Sequence, residues 1–145
     1  MLISGTWHMC DDGIIRPVIH AEIEARDGSW IKAPLLVDTG ADRTVFSADI
    51  LPPLRLQPVL AEERLGGMGG VVRANVVETR LRLTRENNGK IMFRGQYAAV
   101  TDTEALDMSV LGRDVTNFFS VIVDWPRRLV YLVGQQHQYT IIQQS

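Results

Sequence analysis

A single cysteine, Cys10, stands in the chain, so no intrachain disulfide can brace the fold, and the thiol content gives no sign of an oxidising compartment. No apolar run approaches the ~18–20 residues that a membrane-spanning helix needs. The first residues, Met1 to Cys10, lack a basic flank followed by an apolar stretch and do not read as a secretory signal. There is no block of Lys and Arg. The 15 basic and 17 acidic side chains are interspersed and leave a net charge of −2. That balance supplies no electrostatic footprint for nucleic acid or for an anionic membrane. The expectation is a soluble, cytoplasmic protein. Helical periodicity is scarce too, and no internal repeat or linker divides the chain.

What remains is an ordinary globular composition, 46% hydrophobic and 22% charged, over 145 residues. A chain of this size buries roughly 68–70% of its unfolded surface, enough for a core without staples. One domain over 1–145 is expected, with its core in about 14–133. The Gln-rich tail 134–145 is either an interface strand or a frayed end.

Short strand-like runs dominate. Ile14–Ala25 is rich in β-branched residues, and Arg26-Asp27-Gly28-Ser29 follows as a turn. Trp30–Val37 is a second apolar run. After the cluster Gly66-Gly67-Met68-Gly69-Gly70, apolar Val77, Leu81 and Leu83 alternate with Glu78, Arg80, Arg82 and Thr84, the period of a half-buried strand. Asn87-Asn88-Gly89 predicts a hairpin turn into Ile91–Val100, because Asn and Gly tolerate positive φ. Val121–Trp125 and Leu129–Val133 flank Pro126-Arg127-Arg128 as another hairpin. Short helical pieces are expected near Ser47–Leu51 and at Arg113–Ser120. The sum is an all-β sandwich or barrel.

One acid stands out. Asp38-Thr39-Gly40-Ala41-Asp42 follows the apolar run Pro34–Val37, and an acid at the end of a buried strand is costly unless it is hydrogen-bonded or functional. Alone, Asp-Thr-Gly is more often a plain turn. Two downstream features change the weighing. Leu65-Gly66-Gly67-Met68-Gly69-Gly70-Val71 puts four glycines at a hairpin tip, which suits a flap whose backbone approaches a bound chain, although glycines by themselves mark only a loop. They lead into a strand and not a helix, so a phosphate cradle is disfavoured. Val110-Leu111-Gly112-Arg113-Asp114 is the third feature, two apolar residues and a glycine before a helix.

These three motifs, in this order, resemble the retroviral protease (retropepsin) family of aspartic proteases, from about Arg16 to Asp124. The resemblance implies an acid-protease barrel with a flap hairpin and one short C-terminal helix. It also implies roles. Asp38 would be the catalytic carboxylate, Thr39 would brace the two active-site loops across a dimer, and Gly40 would touch substrate backbone beside Ala41. Asp42 and Arg113 would form an ion pair. Gly67, Met68 and Gly69 would close over the substrate, and Val110 and Leu111 would line or support specificity pockets. Arg43 departs from the pattern, standing where retroviral enzymes often carry a second acid. The Val121–Val133 hairpin is more similar to cellular and bacterial members than to viral ones.

The chemistry of such a protease needs two carboxyl groups sharing a proton, yet the chain holds one Asp-Thr-Gly and no Asp-Ser-Gly. A homodimer must therefore supply the second, acting on a polypeptide substrate without cofactor or metal. The alternative is a dimerisation or peptide-binding module whose catalysis is lost or latent. Elsewhere, Trp7-His8-Met9-Cys10-Asp11 brings a His and a Cys close, but no second His/Cys pair exists to complete a metal site. Cys10 lacks a partnered base for nucleophilic chemistry. Asp102, Glu104 and Asp107 read as a solvated loop.

Overall fold

The computed structural model describes residues 1–67, 70–134, 140 and 142, with side chains at all of these outside 60–70. Its first long strand, β3 (Ile15–Glu24), follows two short ones, β1 (Leu2–Ser4) and β2 (Thr6–Met9). The Arg26–Ser29 turn closes as the Ala25 N–H donates to the Ser29 carbonyl and the Gly28 N–H to the Ala25 carbonyl, with Gly28 at φ 86°. It delivers β4 (Trp30–Val37), which pairs with β3 from Val18↔Leu36 to Glu24↔Trp30.

Two further hairpins complete most of the sheet. Strand β6 (Leu60–Gly67) pairs with β7 (Gly70–Thr84) up to Gly67↔Gly70, and β7 pairs with β8 (Lys90–Val100) along eleven positions, from Ala74↔Val100 to Thr84↔Lys90. The alternation predicted for β7 is present: Leu81 and Leu83 are fully buried while Glu78 and Arg80 face solvent. At the β7–β8 turn, Asn88 takes the left-handed conformation, φ 66°, and Gly89 does not.

The sheet closes because β3 also pairs with β7, at Glu22↔Arg82 and Ile23↔Leu81. Running β3–β4–β9–β5–β8–β7 and back to β3, with β5 (Val45–Phe46) and β9 (Val110–Leu111), the six strands form a ring. Two of its seams are parallel, β4 with β9 and β5 with β8. Parallel seams need long crossovers, and the chain supplies them in the segments leading to β8 and β9. Inside lie Ile19, Ile23, Leu35, Phe46, Leu81, Leu83 and Leu111. Each such side chain contributes about 1.5–3 kcal/mol on full burial.

A second sheet, in the order β1–β11–β10, caps this barrel with β10 (Ser120–Asp124) and β11 (Leu129–Val133). It brings Ile3, Val130 and Leu132 into the same core. Residues ahead of position 14 thus belong to the packed core as well. The predicted helical pieces are shorter or displaced. A 3-10 turn, Ala48–Ile50, runs into α1 (Leu51–Leu54), and α2 spans only Arg113–Thr116. The fold is an all-β barrel with minimal helix.

Candidate active site

Strand β4 ends at Val37, which pairs with Leu111 of β9, and the next residue is Asp38. Its N–H still donates to the Leu111 carbonyl at 3.2 Å, so the sheet fixes the backbone of the acid. The loop then turns sharply. Gly40 N–H donates to Asp38 Oδ1 at 2.9 Å, and Ala41 N–H donates to the Asp38 carbonyl at 3.2 Å. A β-carbon at Gly40 would stand 3.2 Å from Asp38 Oδ1, crowding the carboxylate. Asp38 is half-buried, while Thr39 and Gly40 are exposed. Among the described residues, no basic side chain pairs with Asp38.

Among the described residues, many of the loop's contacts come from one short segment, residues 111–114. Arg113 grips it at three points. Its backbone N–H donates to the Ala41 carbonyl at 2.8 Å, one guanidinium nitrogen donates to the Thr39 carbonyl at 3.0 Å, and another pairs with the Asp42 carboxylate. The Asp42 side chain is 81% exposed and that of Arg113 42%, so the ion pair itself is worth little, about 0–1 kcal/mol. Its value lies in geometry, because a planar guanidinium reaches several fixed acceptors at once.

Gly112 lies flat against the loop. A β-carbon there would come within 2.2 Å of the Arg43 carbonyl carbon, so only glycine allows this approach. The far end of the loop is Thr44, with no exposed surface. Its N–H donates to Asp114 Oδ1 at 2.9 Å and Oδ2 at 3.0 Å, its hydroxyl donates to Oδ1 at 2.7 Å, and it accepts the Gly112 N–H at 3.1 Å. Asp114 also faces Tyr97. Burial first, and the nearby Asp114 charge second, push the Tyr97 phenol up to about 12.

Of the residues singled out in the sequence, Asp38, Thr39, Gly40, Ala41, Asp42, Val110, Leu111 and Arg113 therefore come together. Leu111 is fully buried and Val110 nearly so, standing behind the loop. Gly67 lies on the separate β6–β7 hairpin, opposite Gly70. Met68 and Gly69 fall outside the described residues. The Thr44–Asp114 contact was not foreseen. A buried Thr demands a partner, but burial of Thr44 follows from barrel closure and leaves no mark in the local pattern. Near the N-terminus, the His8 and His20 rings stand 6.2 Å apart, and Cys10 Sγ lies 3.9 Å from Met108 Sδ. No group of three or more His, Cys, Asp or Glu able to hold a metal ion occurs among the described residues.

Comparison with known proteins bears on this geometry. The profile of the retroviral aspartyl protease family matches residues 15–121. A retropepsin-like aspartic protease from Rickettsia conorii is 18% identical and superposes with a TM-score of 0.55, covering 91% of this chain and 97% of its own. The EIAV protease, solved with the inhibitor HBY-793, is 20% identical over 70% of this chain and 86% of its own, with a TM-score of 0.49. The simian foamy virus protease is 15% identical over 70% and 92%, with a TM-score of 0.41. No curated protein matches the chain.

Proposed function

The chain belongs to the retroviral aspartyl protease family, and we propose that it is an aspartic endopeptidase built as a homodimer, with Asp38 of each subunit at a shared site. The observation that carries this reading is the Asp38 loop. A half-buried carboxylate without a cationic partner among the described residues is presented beside exposed Thr39 and Gly40, on a backbone clamped from residues 111–114. A purely structural acid has no need of that clamp.

One chain offers one such acid, and the loop that bears it faces outward. An isologous contact through this face sets Asp38 beside its own copy. Two carboxylates about 3 Å apart do not both ionise, so the pair retains one proton. The ionised member takes a proton from a water held between them while the protonated member donates to the scissile carbonyl. The roles then reverse as the amine departs. Thr39, exposed next to Asp38, donates across the axis to brace the partner loop. The β6–β7 hairpin closes over an extended polypeptide, which adds its backbone to the strand edge.

Cleavage of a peptide library by wild type and by Asp38→Asn, scanned from about pH 3.5 to 7.5, tests the reading. The expected result is endoproteolysis by wild type and at least a thousandfold loss in the variant, about 4 kcal/mol in the barrier. A wild-type chain that cuts nothing across the range, or a variant that cuts equally well, sinks it.

A further inference from the structure

Two consecutive residues take hold of the two ends of the catalytic loop. Arg113 fixes Thr39, Ala41 and Asp42, while Asp114 holds Thr44. The contacts of Thr44 form a directed chain. Gly112 N–H donates to the Thr44 hydroxyl oxygen, and that hydroxyl spends its one proton on Asp114 Oδ1. An acceptor-only carboxylate at the end of the chain sets its direction, and the Thr44 N–H reaches the same group. The next residue back from Gly112 is Leu111, whose carbonyl accepts the Asp38 N–H. A continuous path therefore runs Asp114–Thr44–Gly112–Leu111–Asp38.

We infer that Asp114 is a positioning residue for the Asp38 carboxylate, acting through Thr44 and the Gly112–Leu111 backbone. The inference rests on reading Asp38 as the catalytic acid, though Asp114 itself touches none of the reacting atoms. Thr44 is fully buried behind the exposed Asp114, so removing that side chain takes away the protein acceptor of both its N–H and its O–H. The loop end then loses its anchor to residue 114 and is free to shift. Gly112 already lies against the Arg43 backbone, so such a shift is passed to it directly. Oriented catalysis is sensitive to displacements of this size, with ~1 Å costing about a hundredfold in rate.

The test uses the full chain carrying Asp114→Ala, the near-isosteric Thr44→Val, and Thr44→Ser, which keeps the hydroxyl. Two readouts are needed: kcat and KM on a peptide that wild type cleaves, and amide hydrogen exchange at Gly40. The Gly40 N–H bonds Asp38 Oδ1 and contacts neither altered side chain, so it reports the loop alone. Expected are a fall in kcat of about tenfold to a hundredfold in Asp114→Ala and Thr44→Val with KM within about threefold. Gly40 exchange should rise at least tenfold in both, and Thr44→Ser should recover most of the loss. A lowered melting temperature with kcat and Gly40 exchange unchanged would mean that the network serves stability alone, and would overturn the proposal. If wild type cuts no peptide, the catalytic reading fails by itself. Gly40 exchange then decides the positioning claim, faster exchange supporting it and unchanged exchange refuting it.

Discussion

A β-carbon at Gly5 would stand 2.1 Å from the Val18 carbonyl oxygen, as tight a clash as the one at Gly112, yet the two glycines lie in different places. Gly5 joins β1 to β2, donates to Val130 and abuts Val18 and Ile19 of β3, whereas Gly112 backs the Asp38 loop. Alanine at either position forces the backbone apart and should cost about 1–3 kcal/mol, read as a shift in denaturant midpoint. Only Gly112→Ala should also depress turnover per folded chain, because the displaced neighbour is Arg43. Equal turnover in the two variants would separate the Gly112 contact from the site. Arg113 predicts the opposite balance. Its pair with Asp42 is solvent-exposed, so Arg113→Ala should leave the melting temperature nearly unchanged while turnover falls. Arg113→Lys should not restore it, since an ammonium cannot serve the Thr39 carbonyl and the Asp42 carboxylate as a planar fork does. Wild-type turnover in Arg113→Ala would contradict this.

At the level of elements, the hydrophobic pattern foretold the strands well and the joins between them poorly. Trp30–Val37 matches β4 end to end, and period-two alternation located β7, because one-sided burial imprints itself on local sequence. The β3–β7 closure and the parallel β4–β9 and β5–β8 seams unite residues far apart in the chain, and no local signal encodes them. The helix near Ser47 was expected to end by Leu51, ahead of Pro52-Pro53. Those prolines instead sit in the first turn of α1, where their missing N–H groups would have had no intrahelical partner. The Asn87-Asn88-Gly89 turn was legible, but not which residue takes the strained conformation. Since that residue is Asn88, Asn88→Val should destabilise by about 1–2 kcal/mol and Asn88→Gly should be close to neutral. The β3–β7 seam carries a pH signature. Hydrogen bonds from Arg82 first, with Lys90 adding and burial opposing, hold the Glu22 carboxyl down to about 2 from its ordinary 4.5. In that window the unfolded chain binds the proton more readily than the folded one, so the stability Glu22 supplies is full above about pH 4.5 and fades as pH falls toward 2. Glu22→Gln should therefore lose denaturant midpoint at neutral pH and lose less than wild type on acidification. Parallel curves for the two proteins would contradict it.

For the whole molecule, the proposed function turns on a site divided between two chains. If each chain brings one carboxyl to the face on which Thr39 and Gly40 lie open, folding, association and turnover should be linked by mass action. Activity per chain should fall on dilution through the dimer dissociation constant, while the fold signal persists for as long as the monomer stays folded. Mixing gives a sharper test. When wild type and Asp38→Asn are combined in equal amounts and allowed to exchange, random pairing leaves about one quarter of the dimers with two intact acids. The activity of a fixed amount of wild type should then drop to roughly half, if one carboxyl cannot serve as both base and acid. A chain that acts alone would lose nothing when an inactive copy is added, and its rate would scale with the wild-type concentration only. Mixed Asp42→Ala and Arg113→Ala subunits make a useful contrast. The Asp42–Arg113 pair lies within one chain, so neither variant can repair the other by exchange. Failure of complementation there, alongside dominance of Asp38→Asn, would place the carboxyl pair across the interface and its supporting clamp within each subunit.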